Sequence, residues 1–336
     1  MATKLWTLHF MRICLANLLL FISLYLLYPV LPVMMASRLG VPVSQTGVIF
    51  ILFTLAMFFI GPFHAYLVDV YKRKYICMLS FGVMVAATAG YTLVQNATHL
   101  LMLCIVQGLS FGMAATASIT LAIDITNSTF RSSGNVVFSW AARLGMIIGA
   151  ALGVYLFRTH GFETLLYVAV ALGALGILFV SRVYVPFRAP IGMKVCSMDR
   201  FLLPRGLIPA FNLILIAFIP GLMLPVLTGA PSDVAVGGET VPFFALVGCG
   251  FLLSVLIVKL FFRYDNKMWL QIVVGLVTVI GSMAMLFSPE TSWNAPAAVL
   301  MGLGLGLVTP EFLMMFVKLS QHCQRGTANT THLLAW

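Results

Sequence analysis

Ten apolar stretches, each long enough to cross a bilayer, constrain this chain more than anything else in it. They lie near 13–34, 46–68, 75–95, 99–122, 136–157, 163–181, 206–228, 241–262, 268–287 and 295–317. A helix needs roughly 20 apolar residues to cross about 30 Å of hydrocarbon. A run such as LLLFISLYLLYPVL is too continuous for a membrane barrel strand, which alternates residue by residue. Composition agrees: the 336 residues are 61% hydrophobic and 8% charged, where soluble domains carry about 25% charge. So few charges cannot coat a water-facing surface. The first stretch is too long for a cleaved signal, and no cleavage site precedes a soluble domain. The expected fold is an all-α polytopic membrane protein.

Basic residues set the expected orientation. With the N-terminus cytoplasmic, Lys4 and Arg12 lie inside, and so do Lys72, Arg73 and Lys74 after span 2. Arg131 follows span 4, and Arg182, Arg188, Lys194, Arg200 and Arg205 follow span 6. Lys259, Arg263 and Lys267 follow span 8, and Lys318 and Arg325 follow span 10. Only Arg38 and Arg158 fall outside, with Arg143 inside a span. The net charge of +10 is therefore a topology signal, and nucleic acid is not an expected partner. The bilayer is.

The chain repeats itself weakly. Pro29-Val30-Leu31 recurs as Pro225-Val226-Leu227, and Asp69 recurs as Asp265, both at 196 residues (225 − 29 and 265 − 69). Gly108-x3-Gly112 recurs as Gly302-x3-Gly306, and Arg131-x3-Asn135 as Arg325-x3-Asn329, both at 194 (302 − 108 and 325 − 131). A two-residue deletion between spans 9 and 10 would explain the drift. The expected units are a six-helix bundle over 1–181, a basic cytoplasmic linker over 182–205, and a second bundle over 206–336. The linker reads as a solvated loop against anionic headgroups, with a regulatory site as the alternative.

These features resemble the major facilitator superfamily of secondary transporters. AYLVDVYKRK (65–74) is similar to the family's signature after helix 2 through Leu67, Asp69, Arg73 and Lys74, with Ala65 and Lys72 in place of its glycines. Cys104-x3-Gly108-x3-Gly112 resembles the helix 4 pattern, with Cys104 where arginine is usual. Gly145-x3-Gly149-Ala150-x2-Gly153 resembles the helix 5 antiporter pattern, with Ala150 in place of proline, so antiport does not follow from it. The resemblance implies a gating role for Asp69, Arg73, Lys74 and Asp124, which could hold the cytoplasmic helix ends together in one state. The other reading is that these charges only fix orientation. Gly108, Gly112, Gly145, Gly149 and Gly153 lie at close-packing spacing. The helix 5 row is either plain packing or the seam on which the halves rock.

Polar residues inside spans are the site candidates. Arg143, Glu311, Asn17 and Asn212 are expected roughly 7–10 Å below the cytoplasmic surface at 1.5 Å per residue. A water-accessible vestibule at that depth follows. Glu311 comes after Thr309-Pro310, where proline can kink the helix, and is the expected proton-coupling or substrate residue with Arg143 as partner. A snorkelling Arg143 and a static buried pair are the alternatives. Gln107, Ser110, Tyr25 and Tyr28 rank second, because the resemblance implies that spans 1, 4, 7 and 10 line a cavity.

The six His and six Cys show no metal or redox spacing, and GLGLG (302–306) lies in an apolar helix. No cofactor, metal or catalytic site is expected. The favoured reading is a monomeric secondary transporter in the plasma or inner membrane that exports a small, apolar molecule by alternating access, with protons as coupling partner. A nutrient importer or facilitator would carry more polar residues at the midplane, and a membrane enzyme or non-transporting protein does not explain the repeat. By the offset of 194, THLLAW (331–336) begins an eleventh helix, so ten of twelve transmembrane helices are expected here and the chain reads as truncated before helix 11.

Overall fold

Thr7 opens the first helix, its Oγ1 accepting the Phe10 N–H at 3.2 Å. That satisfies one of the amides a helix start leaves unpaired. The computed structural model describes residues 5–42, 45–127, 130–185, 195–196, 202–229, 233–236, 239–261, 267–288, 291–320 and 325–335. Span 1 becomes α1 (Leu8–Tyr25) and α2 (Leu31–Leu39). The break surrounds Pro29, which has no N–H to continue the ladder. α2 stops at Gly40, whose φ of 65° is easy only for glycine. Span 2 is likewise α3 (Val48–Phe59) and α4 (Gly61–Val70), interrupted at Gly61-Pro62.

α5 (Arg73–Gly90) and α6 (Ala97–Ile125) follow, the latter capped by Asn96, whose side chain accepts the His99 N–H at 2.9 Å. α7 runs Arg131–Ser181. As a straight rod those 51 residues would reach about 75 Å, more than twice the hydrocarbon thickness. Gly161, at φ 83°, ψ 177°, turns the chain and separates the predicted spans 5 and 6. α8 (Leu207–Gly229) leads to a short hairpin that no alternation in the sequence announced. In it β1 (Asp233–Val236) pairs antiparallel with β2 (Glu239–Pro242), Val236 opposite Glu239. α9 (Phe243–Phe261), α10 (Met268–Leu286), α11 (Asn294–Leu319) and α12 (Arg325–Ala335) complete the fold. Of the predicted linker, 186–194 and 197–201 lie outside the described residues.

Six described helices are long and apolar enough to cross a membrane, one of them the pair joined at Gly161; three shorter apolar helices begin at Val48, Pro204 and Phe243. Large apolar side chains face outward, among them Phe59, Ile208, Leu260 and Val277. In water such a surface would drive aggregation; in lipid it is the expected exterior.

The packing reveals the repeat in three dimensions. Gly108 lies against Phe53 and Gly302 against Val247; 302 − 108 and 247 − 53 are both 194. Gly112 meets Met57 and Ile60, and Gly306 meets Phe251 and Ser254, again at 194 (251 − 57 and 254 − 60). Each glycine pair thus lets one helix reach the backbone of its neighbour. The placement of the two-residue drift between spans 9 and 10 is corrected, since the offset is already 194 where α9 matches α3. Asp265 lies outside the described residues.

Contacts across the two halves come in matching pairs: α7 with α9 and α12 with α3, α7 with α11 and α12 with α6. α12 also packs on α8 as α7 packs on α1. Such pairing is the geometry of parallel repeats about an axis along the membrane normal. The helix 5 glycines do not form the seam. Gly145 and Gly149 press on Leu18 and Ile22 of α1 and Gly153 on Leu26 just past its end, inside the same bundle. The rocking-seam reading of that row is corrected to packing.

Candidate functional site

Between the halves lies a cavity of about 570 Å³. Its first-half wall is a run of touching rings. Phe21 and Tyr25 stack at 6.2 Å, Tyr25 meets Tyr28 at 5.1 Å, Tyr28 meets Phe53 at 5.1 Å, and Phe53 meets Phe111 at 5.7 Å. Phe111 returns to Phe21 edge-on at 5.1 Å, closing the circuit. Edge and tilted contacts of this kind hold rings in place. The second half contributes Phe243, Phe251, Met301, Leu305 and Thr309. Tyr25 and Tyr28, second-rank candidates, therefore stand at the centre.

A smaller cavity of about 40 Å³ adjoins it, lined by Asn17, Asn135, Ser139, Arg143, His332 and apolar neighbours. Arg143, Phe21 and Leu333 line both spaces. Three of the polar residues follow from α7 alone: Asn135, Ser139 and Arg143 are four apart, one face of a helix. The i, i+4, i+8 spacing of that stripe is itself a sequence signal for one polar helix face. Asn17 reaches the same space from α1, its Nδ2 donating to the Phe138 carbonyl at 3.3 Å. The Arg143 guanidinium is buried and donates to Met146 Sδ at 3.2 Å.

Other candidates lie elsewhere. Gln107 is 1% exposed but faces α5, not the cavity. Its Oε1 accepts from Tyr91 Oη at 2.9 Å and its Nε2 donates to Thr88 Oγ1 at 3.1 Å. Ser110 donates to its own helix, to Val106 O at 2.8 Å and Gln107 O at 3.0 Å. Both are corrected from cavity lining to internal bonding. Asn212 is exposed on α8. At the 196-residue offset of the Pro-Val-Leu match, Asn17 corresponds to buried Leu213. One residue of error turns a side chain about 100°, which carries Asn212 off the buried face.

Glu311 also departs from the expected vestibule. Thr309 lines the large cavity and Leu313 the small one. Glu311, two residues from each, lies about 200° round the helix. It is partly buried on the side of α11 turned from both spaces.

The predicted gate is partly described. Arg73 donates to Asp124 Oδ2 at 2.6 Å and through Nε to the Val68 carbonyl at 3.2 Å. Lys74 donates to Ser181 O at 2.7 Å, and Arg12 to Arg182 O at 2.8 Å. These cations occupy helix C-terminal ends, where carbonyls lack intrahelical partners. The bonds join α1, α4, α5, α6 and the end of α7 and so tie the first bundle to itself. The Asp69 side chain lies outside the described residues.

Span-length helices, apolar exteriors, matched halves and a central cavity define a polytopic membrane transporter that handles a small-molecule substrate. The chain belongs to the Major Facilitator Superfamily, whose family model matches residues 13–336. Comparison with curated proteins gives no match. Among solved structures, the fold is similar to the human organic anion transporter MFSD10 (TETRAN), at a TM-score of 0.73 and 18% identity, covering 98% of this chain and 89% of that one. It is also similar to the peptide transporter POT, solved in complex with alafosfalin, at 0.71 and 13% identity, covering 97% and 87%.

Proposed function

We propose that this chain is a secondary active transporter that exports a small, largely apolar organic molecule by alternating access, driven by protons. The observation that carries the reading is the aromatic cavity of about 570 Å³ between repeat-related halves. Its size suits a small organic ligand, and a lining with few polar groups favours an apolar cargo over a sugar-like nutrient. The alternating basic loops support a cytoplasmic N-terminus in the plasma or inner membrane. Glu311 is the proposed proton site. Its position behind the cavity wall, next to Pro310, would let protonation change the shape of α11 without contact with the cargo.

Proteoliposomes with an imposed proton gradient test this. Gradient-driven efflux of an apolar fluorescent probe, abolished by an uncoupler, is expected. In Glu311→Gln, the probe should still bind while gradient-driven movement falls to the passive level. Import of the probe, or passage indifferent to the uncoupler, would overturn coupled efflux in favour of an importer or facilitator.

A further inference from the structure

The two cavities differ in chemistry and meet at one charge. The large one is walled by aromatic and aliphatic side chains; the small one gathers two asparagines, a serine, a histidine and Arg143. Neither lining contains Asp or Glu among the described residues, so Arg143 sets the sign of the site. A cavity needs about 10–15 Å³ to hold one water. The small cavity, at about 40 Å³, therefore takes a group of about three heavy atoms and excludes a ring. Two of its lining residues also carry a buried polar atom without a partner among the described residues, Asn17 Oδ1 and His332 Nε2, on side chains 1% and 6% exposed. A buried polar atom left unbonded is costly, so the space suits a polar guest better than an apolar one.

We infer that the cargo is an amphipathic organic anion whose apolar body fills the large cavity and whose carboxylate-sized head enters the small one at Arg143. This rests on the reading of the central cavity as the transport site. A guanidinium has five N–H donors in a planar fork that fits a carboxylate, and it can hold one while keeping other contacts. Asn135 and Ser139 can donate to the head, as can His332 when its Nε2 carries the proton, while the acceptor Asn17 Oδ1 meets it only through a bridging water. A cationic head would face the Arg143 charge with no Asp or Glu among the described residues of either lining to offset it. A molecule without a polar head would leave the small cavity unused, a neutral head would gain nothing from the Arg143 charge, and a simple inorganic anion would leave the large cavity unfilled.

The test uses three probes with one body and different heads: naphthylacetate, naphthylacetamide and naphthylethylammonium. Binding is measured calorimetrically on the full chain in detergent, and movement in proteoliposomes. Naphthylacetate should bind at least about tenfold more tightly than the amide, the margin of one charge-assisted hydrogen bond, and the ammonium least. Arg143→Gln should erase the anion's advantage over the amide; Arg143→Lys should keep part of it. Ser139→Asp adds a carboxylate to the small cavity and should place the ammonium above the acetate. If Arg143→Gln does not yield folded protein, Ser139→Asp decides, and an unchanged order there overturns the inference. Equal binding of the three probes, or preference for the ammonium, overturns the anionic cargo and leaves the cavity as the transport site. Failure of all three to bind or move overturns both.

Discussion

Gln107 and Arg143 each head a group of buried polar side chains, and the two groups are opposite in state. Around Gln107, the Tyr91 and Thr88 side chains satisfy both ends of the amide. Around Arg143, the side chains surround a void and leave Asn17 Oδ1 and His332 Nε2 without partners among the described residues. The first group is a fastening between α5 and the rest of its bundle, since a closed polar network rigidifies what it joins. The second has capacity left for a guest. Burial of a polar residue in a span therefore does not define a site; unfilled hydrogen-bonding capacity beside a space does.

Added volume should separate packed from empty regions most strongly. Gly108→Leu and Gly302→Leu would drive a side chain into the facing backbone of α3 and α9. Overpacking of a close seam costs about 1–3 kcal/mol or more, and the absence of any yielding side chain at these backbones puts both variants at the upper end. Loss of folded, monodisperse protein in detergent is the expected result, alike in the two halves. Ala150→Leu adds similar bulk to the wall of the large cavity. It should leave the thermal midpoint near that of the native chain and weaken naphthylacetate binding about tenfold. Equal damage from all three would erase the distinction between seam and cavity.

The two polar groups can be separated in the same way. Gln107→Leu removes two side-chain hydrogen bonds, and interhelical bonds in membranes average about 0.6 kcal/mol each. A stability loss of about 1 kcal/mol is expected in denaturation, with naphthylacetate affinity unchanged within about twofold. Asn17→Leu loses one bond to Phe138 O and also blocks the small cavity. Its stability should fall by no more than about 0.6 kcal/mol, while naphthylacetate affinity drops about fivefold. Reversed outcomes would exchange the roles assigned to the two groups.

Much of the architecture was legible because it rests on length and hydropathy. The ten spans and the glycine pairs of α6 and α11 follow from rules that need no neighbour, whereas the breaks at Pro29 and Pro62 fall inside stretches read as unbroken. The direction of a side chain does need one. Gln107 and Ser110 lie on a helix expected to line the cavity, yet α5 claims the first and the helix backbone the second. Asn212 matched Asn17 within one residue, and one residue is more than a quarter turn. Glu311 shares its helix with Thr309 and Leu313 but not their face. The exception is the stripe Asn135–Ser139–Arg143, whose spacing alone points one way. His332 was legible only as a scattered histidine, because its partners come from α1 and α7.

The smallest expected effect concerns the charges at the basic end, where the same comparison applies to a contact that is made rather than missing. The Arg73–Asp124 pair joins the start of α5 to the end of α6, with side chains 15% and 4% exposed. Both partners belong to one bundle, so the pair stiffens that bundle and acts on the equilibrium between transport states only indirectly. Asp124→Asn removes the charge and keeps the shape, and Arg73 retains its bond to the Val68 carbonyl. The Asn oxygen can still accept from Arg73, so the variant loses the difference between a charged and a neutral hydrogen bond, about 1 kcal/mol. If all of that were spent on one state, turnover would change by no more than about fivefold. Naphthylacetate affinity should not move, because Asp124 lines neither cavity. Transport rates measured beside binding would check this. A loss of binding in Asp124→Asn would mean that the basic end and the cavity are coupled more tightly than their separation between bundle end and interior allows.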